Sequence, residues 1–367
     1  MGTTSDRGSG NLYAALFDRA RRAATPEERA QCLAEIEHLL QRAVVPADRG
    51  RLLMCRARVR SNQWHTAEVY EDAREAIREF EKAGEGDLVV DAASWAAAHA
   101  SRMGELSVAS DLATRSLLAL ETVEDESLRI EIHNRLGIFC VSFLDYGRAL
   151  DQLESALAAA ERVGDLEKIS RQLANLGDCL LLIYRQRRFA EVQDAEAQLL
   201  RAHTVIEDLF ARATDDFIRR TGTYRLRAEA LCELGRPKEG LAVLDQYDDA
   251  GLAVSAQLSA IAWIRARCLR LSGDPDAAVI EADRAVAFAR DSDDDQALME
   301  ALEELAAARA AAGDKDGALD AASQVNTRMW TIHQRETRQL VKEVWWRADF
   351  IRNQGSPGYP DHGDRRP

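Results

Sequence analysis

One arrangement returns along most of this chain: two amphipathic stretches of helical period, a short turn between them, and small residues where the two would touch. It is clearest at residues 130–143 and 147–163, joined by Leu144, Asp145 and Tyr146. Leu136 and Gly137 fall on the first stretch, while Ala149, Leu153 and Ala156 share one face of the second. Glycine and alanine at such positions let two helix axes approach where Leu or Phe would hold them apart. A single pair of this kind cannot bury its apolar face alone, so the pattern predicts helical pairs stacked along one dimension.

The rest of the chain repeats the cue with variations. Residues 11–22 read as a first helix, and Thr25-Pro26-Glu27-Glu28 as a helix start, with threonine as cap and proline in the first turn. Pro46 opens a further helix to residue 60. Residues 65–82 carry Ala73 and Ala76, although the helix before them lacks the Leu-Gly pair. The stretches 87–102 and 105–120 bring Ala97, Gly104, Ala109 and Ala113. After the clearest pair comes 169–186 with Asn175-Leu176-Gly177, then a second helix expected from Phe189, carrying Ala190 and Ala197. Thr214-Asp215-Asp216 caps another helix. Three glycine turns, at Gly235, Gly273 and Gly313, each precede a helix bearing a small residue: Gly240, Ala278 or Ala318. The markers Ala109, Ala149, Ala190, Gly240, Ala278 and Ala318 are separated by 40, 41, 50, 38 and 40 residues.

Composition agrees with an all-α chain. Apolar residues make up 46% and aromatic residues only 6%, and there are seven prolines in 367 residues. Alanine-rich sequence with few β-branched runs favours helix over strand.

The Leu-Gly pair followed by spaced alanines resembles the tetratricopeptide (TPR) repeat over roughly residues 52–325. A spacing near 40 exceeds the usual TPR period of about 34 and is shared with HEAT-type repeats, but the Gly-Asp turn and its following alanines favour TPR. The expected fold is an all-α, right-handed α-solenoid of TPR-like helical hairpins with a long C-terminal helix. Residues 1–10 are expected to be a disordered leader, 11–325 the solenoid, 317–353 the long helix and 354–367 a disordered tail. The resemblance also implies that the first helix of each pair lines a concave groove for a peptide. Carried over by repeat position, that wall holds Trp95, Asn134, Ile138, Arg171, Asn175, Asp178, Arg225, Glu229, Trp263, Arg267 and Arg270. Asparagine there can bond an extended backbone, and arginine can hold a carboxylate with two parallel bonds. Asn175, just before Leu176-Gly177, matches the family's groove asparagine best; Asn134 is one position off.

The last helix breaks the pattern. No helix breaker follows Gly317 until Gly355, and 37 uninterrupted residues would span about 55 Å. Positions 330, 334, 337, 341, 344, 348 and 351 alternate in steps of four and three, a coiled-coil seam. Val341, Val344, Trp345, Ala348 and Ile351 therefore serve either as a cap on the last repeat or as a homodimer contact. A TPR array running into a long helix with Trp345-Trp346-Arg347-Ala348-Asp349 is similar to the sensory half of actinobacterial GGDEF-linked signalling proteins, although no GGDEF motif is present.

Catalytic and metal-binding patterns are missing. The seven histidines form no HExxH pair, and the six cysteines are scattered singly with no CxxC, which reads as small buried thiols. Asp291-Ser292-Asp293-Asp294-Asp295 begins like a calcium loop but lacks the glycine and the final glutamate. P-loop and dinucleotide fingerprints are absent. A net charge of −14 disfavours nucleic acid and anionic membrane as partners. With no signal-peptide core and no long apolar run, the expected location is cytoplasmic. The leading expectation is thus a regulatory or scaffold module that binds a protein or peptide segment, acidic in view of Arg171, Arg225, Arg267 and Arg270, with no cofactor. A small-molecule sensor centred on residues 199–223, or a truncated sensory half of a diguanylate cyclase, is the alternative. An all-helical enzyme with a site across repeats comes third.

Overall fold

A computed structural model describes residues 13, 15–20, 23, 25–61, 66–103, 105–143, 145–189, 194–247, 255–292, 295–332 and 344. Residues 15–20 are helical, and α1 (Pro26–Arg42) follows them. The hairpins are α2 (Pro46–Ser61) with α3 (Thr66–Ala83), α4 (Gly86–Arg102) with α5 (Leu106–Ala119), and α6 (Glu126–Ser142) with α7 (Tyr146–Val163). They continue with α8 (Leu166–Phe189) and α9 (Ala195–Arg212). After the short α10 (Asp215–Thr221) come α11 (Tyr224–Glu233) with α12 (Pro237–Tyr247), α13 (Ser255–Leu271) with α14 (Pro275–Ser292), and α15 (Asp295–Ala311) with α16 (Lys315–Ile332). No strand occurs among the described residues.

Local chemistry starts these helices where the sequence says it should. Thr25 and Glu28 form a reciprocal capping box, each side chain accepting the other's backbone N–H at 3.1 Å. Thr214 Oγ1 accepts from the Phe217 amide at 3.2 Å. After the glycine turns, Asp274 accepts from the Ala277 amide at 3.1 Å and Asp314 from the Gly317 amide at 2.9 Å. The preceding Gly273 and Gly313 adopt φ of 92° and 87°, a left-handed conformation that glycine takes without a Cβ clash.

Most of the small residues sit where helices meet; Ala318 and Ala322 are only half-buried, and Ala321 is the fully buried alanine of the last pair. Ala149, Ala156, Ala278, Ala282 and Ala285 have no exposed surface. A Cβ added to Gly137 would stand 2.8 Å from Leu153, and one on Gly177 2.9 Å from Ile206. First helices also touch the first helix of the next pair, α4 with α6, α8 with α11, α11 with α13, and α13 with α15. The result is an α-solenoid of TPR-like hairpins whose first helices form one continuous inner wall.

The fourth pair departs from expectation. With neither glycine nor proline between Gly177 and Phe189, α8 runs on to Phe189, and its partner starts only at Ala195. Ala190 lies outside the described residues and Ala197 is exposed. Fully buried Ala202 takes the marker's place instead, four residues before Ile206 as Ala149 is before Leu153. Spacings from Ala149 to Ala202 and on to Gly240 are therefore 53 and 38 residues, and α10 fills the stretched turn.

The predicted long helix is described to Ile332 and again at Val344, which is helical, fully buried and part of the same core cluster as the solenoid. Val341, Trp345, Ala348 and Ile351, the Trp345-Trp346 signature and the two expected disordered ends lie outside the described residues. All six cysteines are buried free thiols. No helix among the described residues is long and apolar enough to cross a membrane.

Two glycines separate packing from helix propensity. A Cβ on Gly240 would lie 2.8 Å from the Ala228 carbonyl oxygen, so Gly240→Ala is expected to destabilise by about 1–3 kcal/mol. At Gly147 the nearest such atom is 3.8 Å away, so Gly147→Ala should be neutral or stabilise by up to about 1 kcal/mol. Urea denaturation of the two variants checks both signs.

Candidate functional site

The inner wall is built from several side chains of each first helix, and two charged clusters divide it. In the N-terminal cluster, the buried Trp95 of α4 stacks on His99 with centroids 5.8 Å apart and planes at 9°. Arg135 of α6 lies 4.9 Å from the Trp95 ring centroid and Arg58 of α2 lies 5.5 Å from it. The Trp95 indole N–H has no acceptor. Arg135 also pairs with Asp91 and donates to Ser94 Oγ at 3.0 Å. Burial pushes His99 well below the usual histidine range, with Arg102 and Arg135 adding to the effect, so its ring is neutral at pH 7.

Glu131 is the acceptor on which this cluster converges. Arg171 of α8 reaches it at 2.6 Å and Arg135 at 3.6 Å. Burial alone would raise its pKa, but Arg171, Arg135, Arg58 and Lys168 outweigh that and hold it at about 2. Next to it, Asn175 Nδ2 donates to Asn134 Oδ1 at 2.6 Å, which joins α6 to α8. Asn134 is buried and Asn175 half-buried, so Asn175 Oδ1 remains as an acceptor on the wall.

The C-terminal cluster surrounds Trp263 of α13, which is 1% exposed and whose indole N–H also lacks an acceptor. Arg267 and Arg185 lie 4.8 Å and 5.3 Å from its ring centroid. Arg267 donates to Glu304 at 2.8 Å and to Glu233 at 2.7 Å, and Arg270 donates to both Glu304 oxygens, at 2.7 and 3.2 Å. Tyr184 donates its hydroxyl to Glu233 at 3.0 Å, and Arg225 meets Asp178 at 3.2 Å. Arg185, on α8, reaches past α11 and α13 to Glu300 of α15 at 3.3 Å.

Every residue assigned to the wall from sequence falls on a first helix. The arginines are not bare cations: Arg171, Arg225, Arg267 and Arg270 each face a carboxylate of the chain. Of the acids that receive them, Asp178 was assigned from sequence, while Glu131, Glu233 and Glu304 escaped that reading, as did Arg58, Arg135, Arg185 and its partner Glu300. A signal existed. Opposite charges one repeat apart lie side by side on neighbouring first helices, as with Glu131 and Arg171 or Arg267 and Glu304, separated by 40 and 37 residues.

The stretch expected to hold a small molecule contributes to an open cleft of about 410 Å³, lined by His203, Glu207, Arg227 and Arg236 among others and by no Phe, Tyr or Trp. An open hollow with so little apolar aromatic surface encloses little of a small ligand. No group of His, Cys, Asp or Glu among the described residues is arranged to hold a metal ion.

The Glu131 cluster has an acid signature. Its folded pKa lies below the unfolded value, so its contribution is complete above about pH 4.5 and is lost as pH falls toward about 2. Glu131→Gln is expected to remove on the order of 3 kcal/mol at pH 7 and to flatten the stability profile between those limits. Urea denaturation of both proteins at stepped pH measures it.

No protein-family model and no curated protein sequence matches this chain. Solved structures do. A Rap protein complexed with competence and sporulation factor is similar at TM-score 0.63 and 14% identity, over 92% of this chain and 90% of that one. The apo form of the quorum sensor NprR from B. thuringiensis aligns at TM-score 0.56 and 13% identity, over 88% and 86%. A human IFIT1 dimer with m7Gppp-AAAA aligns at 0.59 and 13%, over 87% and 71%. At such identities the likeness is one of fold: this chain has the architecture of TPR-like helical-repeat proteins.

Proposed function

We propose that the chain is a non-catalytic regulatory or scaffold module in cytoplasmic signalling that holds a peptide or protein segment along its inner wall. The observation that carries the reading is the Asn134–Asn175 pair set between two clusters of charged and indole side chains on consecutive first helices. Asn175 Oδ1 is placed to accept from an extended backbone, and the clusters on either side supply side-chain selectivity. The similar Rap fold, solved with competence and sporulation factor, supports the idea that such a solenoid can receive a regulatory ligand. The net charge of −14 supports a protein ligand over the capped RNA seen with IFIT1.

A surplus of cations at one end of the wall supports the expectation of acidic groups on the segment. Around Glu131 the cations Arg58, Arg135, Arg171 and Lys168 outnumber Glu131 and Asp91. A carboxylate of the segment belongs at that end, facing Arg171 and Arg135.

Capture from the native host by the intact chain, compared with Asn175→Ala and with an Asn175→Ala/Arg267→Ala double variant, tests the reading. Asn175→Ala should lower recovery of a specific partner by about tenfold, as loss of one or two backbone hydrogen bonds would. The double variant should recover less still, with the circular dichroism of both unchanged. Recovery of the same partner by all three proteins in equal amounts would overturn the reading.

A further inference from the structure

The C-terminal half of the wall contains a carboxylate with no hydrogen-bond partner among the described residues. Glu229, on α11, is 0% exposed, and neither of its oxygens accepts a hydrogen bond. Arg185 Nε stands 3.5 Å from Oε1, too far for the 2.7–2.9 Å expected of a charge-assisted bond. The carboxylates around it are treated differently. Glu304 receives Arg267 and Arg270, and Glu233 receives Arg267 and the Tyr184 hydroxyl. Cations are within reach of Glu229, yet their hydrogen bonds go elsewhere.

Arg185, Arg267 and Arg225 are the charges that act most strongly on Glu229, with Asp178 opposing them, but the wider cluster holds more acids than cations. Among the described residues, Asp178, Glu229, Glu233, Glu300, Glu303 and Glu304 face Arg185, Arg225, Arg267 and Arg270, six acids against four cations. Trp263 adds an indole face to the same space. A buried carboxylate without hydrogen bonds is costly, and an aromatic face beside it is the usual setting for an organic cation.

We propose that the wall between α8, α11, α13 and α15 is a subsite for a cationic side chain of the bound segment, with Glu229 as the acceptor that fixes it. Arg185 holds the place beforehand. It lies against Trp263 and near Glu229 without bonding it, and it already has a second partner in Glu300 at 3.3 Å. An arriving guanidinium or ammonium takes the Glu229 side, and Arg185 keeps Glu300. The inference rests on the groove reading above and gives it a direction: the segment's anionic part lies toward Arg171, its cationic part toward Glu229.

The test pans a phage-displayed library of random peptides of about eight residues against the full chain. Recovered peptides are then made with arginine, lysine, citrulline or glutamate at the enriched position and titrated calorimetrically. With the wild-type chain, arginine or lysine is expected to dominate one position, and citrulline there should weaken binding about tenfold. The arginine and lysine peptides together decide whether the subsite selects the fork or only the charge. Glu229→Gln should reduce the arginine-to-citrulline difference to about twofold or less, and Arg185→Gln should tighten the arginine peptide by about threefold or more, because the internal competitor is gone. Equal binding of arginine and citrulline peptides, a preference for glutamate, or an undiminished arginine preference in Glu229→Gln would each overturn the subsite while leaving the groove intact. No enrichment of any peptide would overturn both. If Glu229→Gln does not fold, the citrulline comparison on the wild type and the Arg185→Gln titration still decide.

Discussion

Close backbone approach at a few glycines sets the geometry of this molecule. Where Gly137 faces Leu153 and Gly177 faces Ile206, there is no room for another methyl group, and the two helices of a pair lie at that distance. Alanines with no exposed surface extend the same contact along most of the second helices, among them Ala149, Ala156, Ala202, Ala278 and Ala282. Because the pairs are clamped in this way, successive pairs stack with their first helices in register. The inner wall follows from that stacking, and so does the meeting of charges from neighbouring repeats. Interiors are close-packed and respond to single methyl groups, so a small loss of fit at these points would be felt along the wall.

Electrostatics on the wall is organised by repeat interval. Glu131 draws Arg171 from the next first helix, and Glu304 draws Arg267 and Arg270 from the preceding one. These pairs are partly enclosed, so they are screened less than surface pairs and tie adjacent repeats together. They also answer most of the wall's arginines internally. What is left is a difference between the two ends: cations exceed acids around Glu131, while the C-terminal cluster as a whole holds six acids and four arginines among the described residues. A solenoid with such a gradient distinguishes the two directions of an extended ligand, which a uniformly charged groove would not.

The two buried tryptophans mark those ends. Each indole is faced by two arginines, and each keeps its N–H without an acceptor. Stacked guanidinium groups held by carboxylates are pre-organised, which lowers the entropy lost when a ligand is gripped. Arg185 is the exception in this set. It reaches from α8 to α15, and its two ion pairs among the described residues, at 3.5 Å to Glu229 and 3.3 Å to Glu300, are both longer than a charge-assisted hydrogen bond.

The sequence by itself determined the helical class, the pairing and much of the capping, because those depend on contacts within a few residues: Thr25 with Glu28, Asp274 with Ala277, Asp314 with Gly317. It also determined which faces of the helices look inward, since the Leu-Gly and alanine positions carry the period of the helix. It misplaced the second helix of the fourth pair. An alanine at position 190 fits the spacing, but only packing against Gly177 reveals that Ala202 occupies the contact. Tertiary structure alone decided which charges neutralise one another. The partners of Arg171, Arg267 and Arg185 lie one or more repeats away; the repeat interval marks some of them as candidates, but their meeting depends on the exact stacking of helices. The isolation of Glu229 is of the same kind: a glutamate on a helix is ordinary in sequence, and only the folded wall encloses it while turning its neighbours' hydrogen bonds elsewhere.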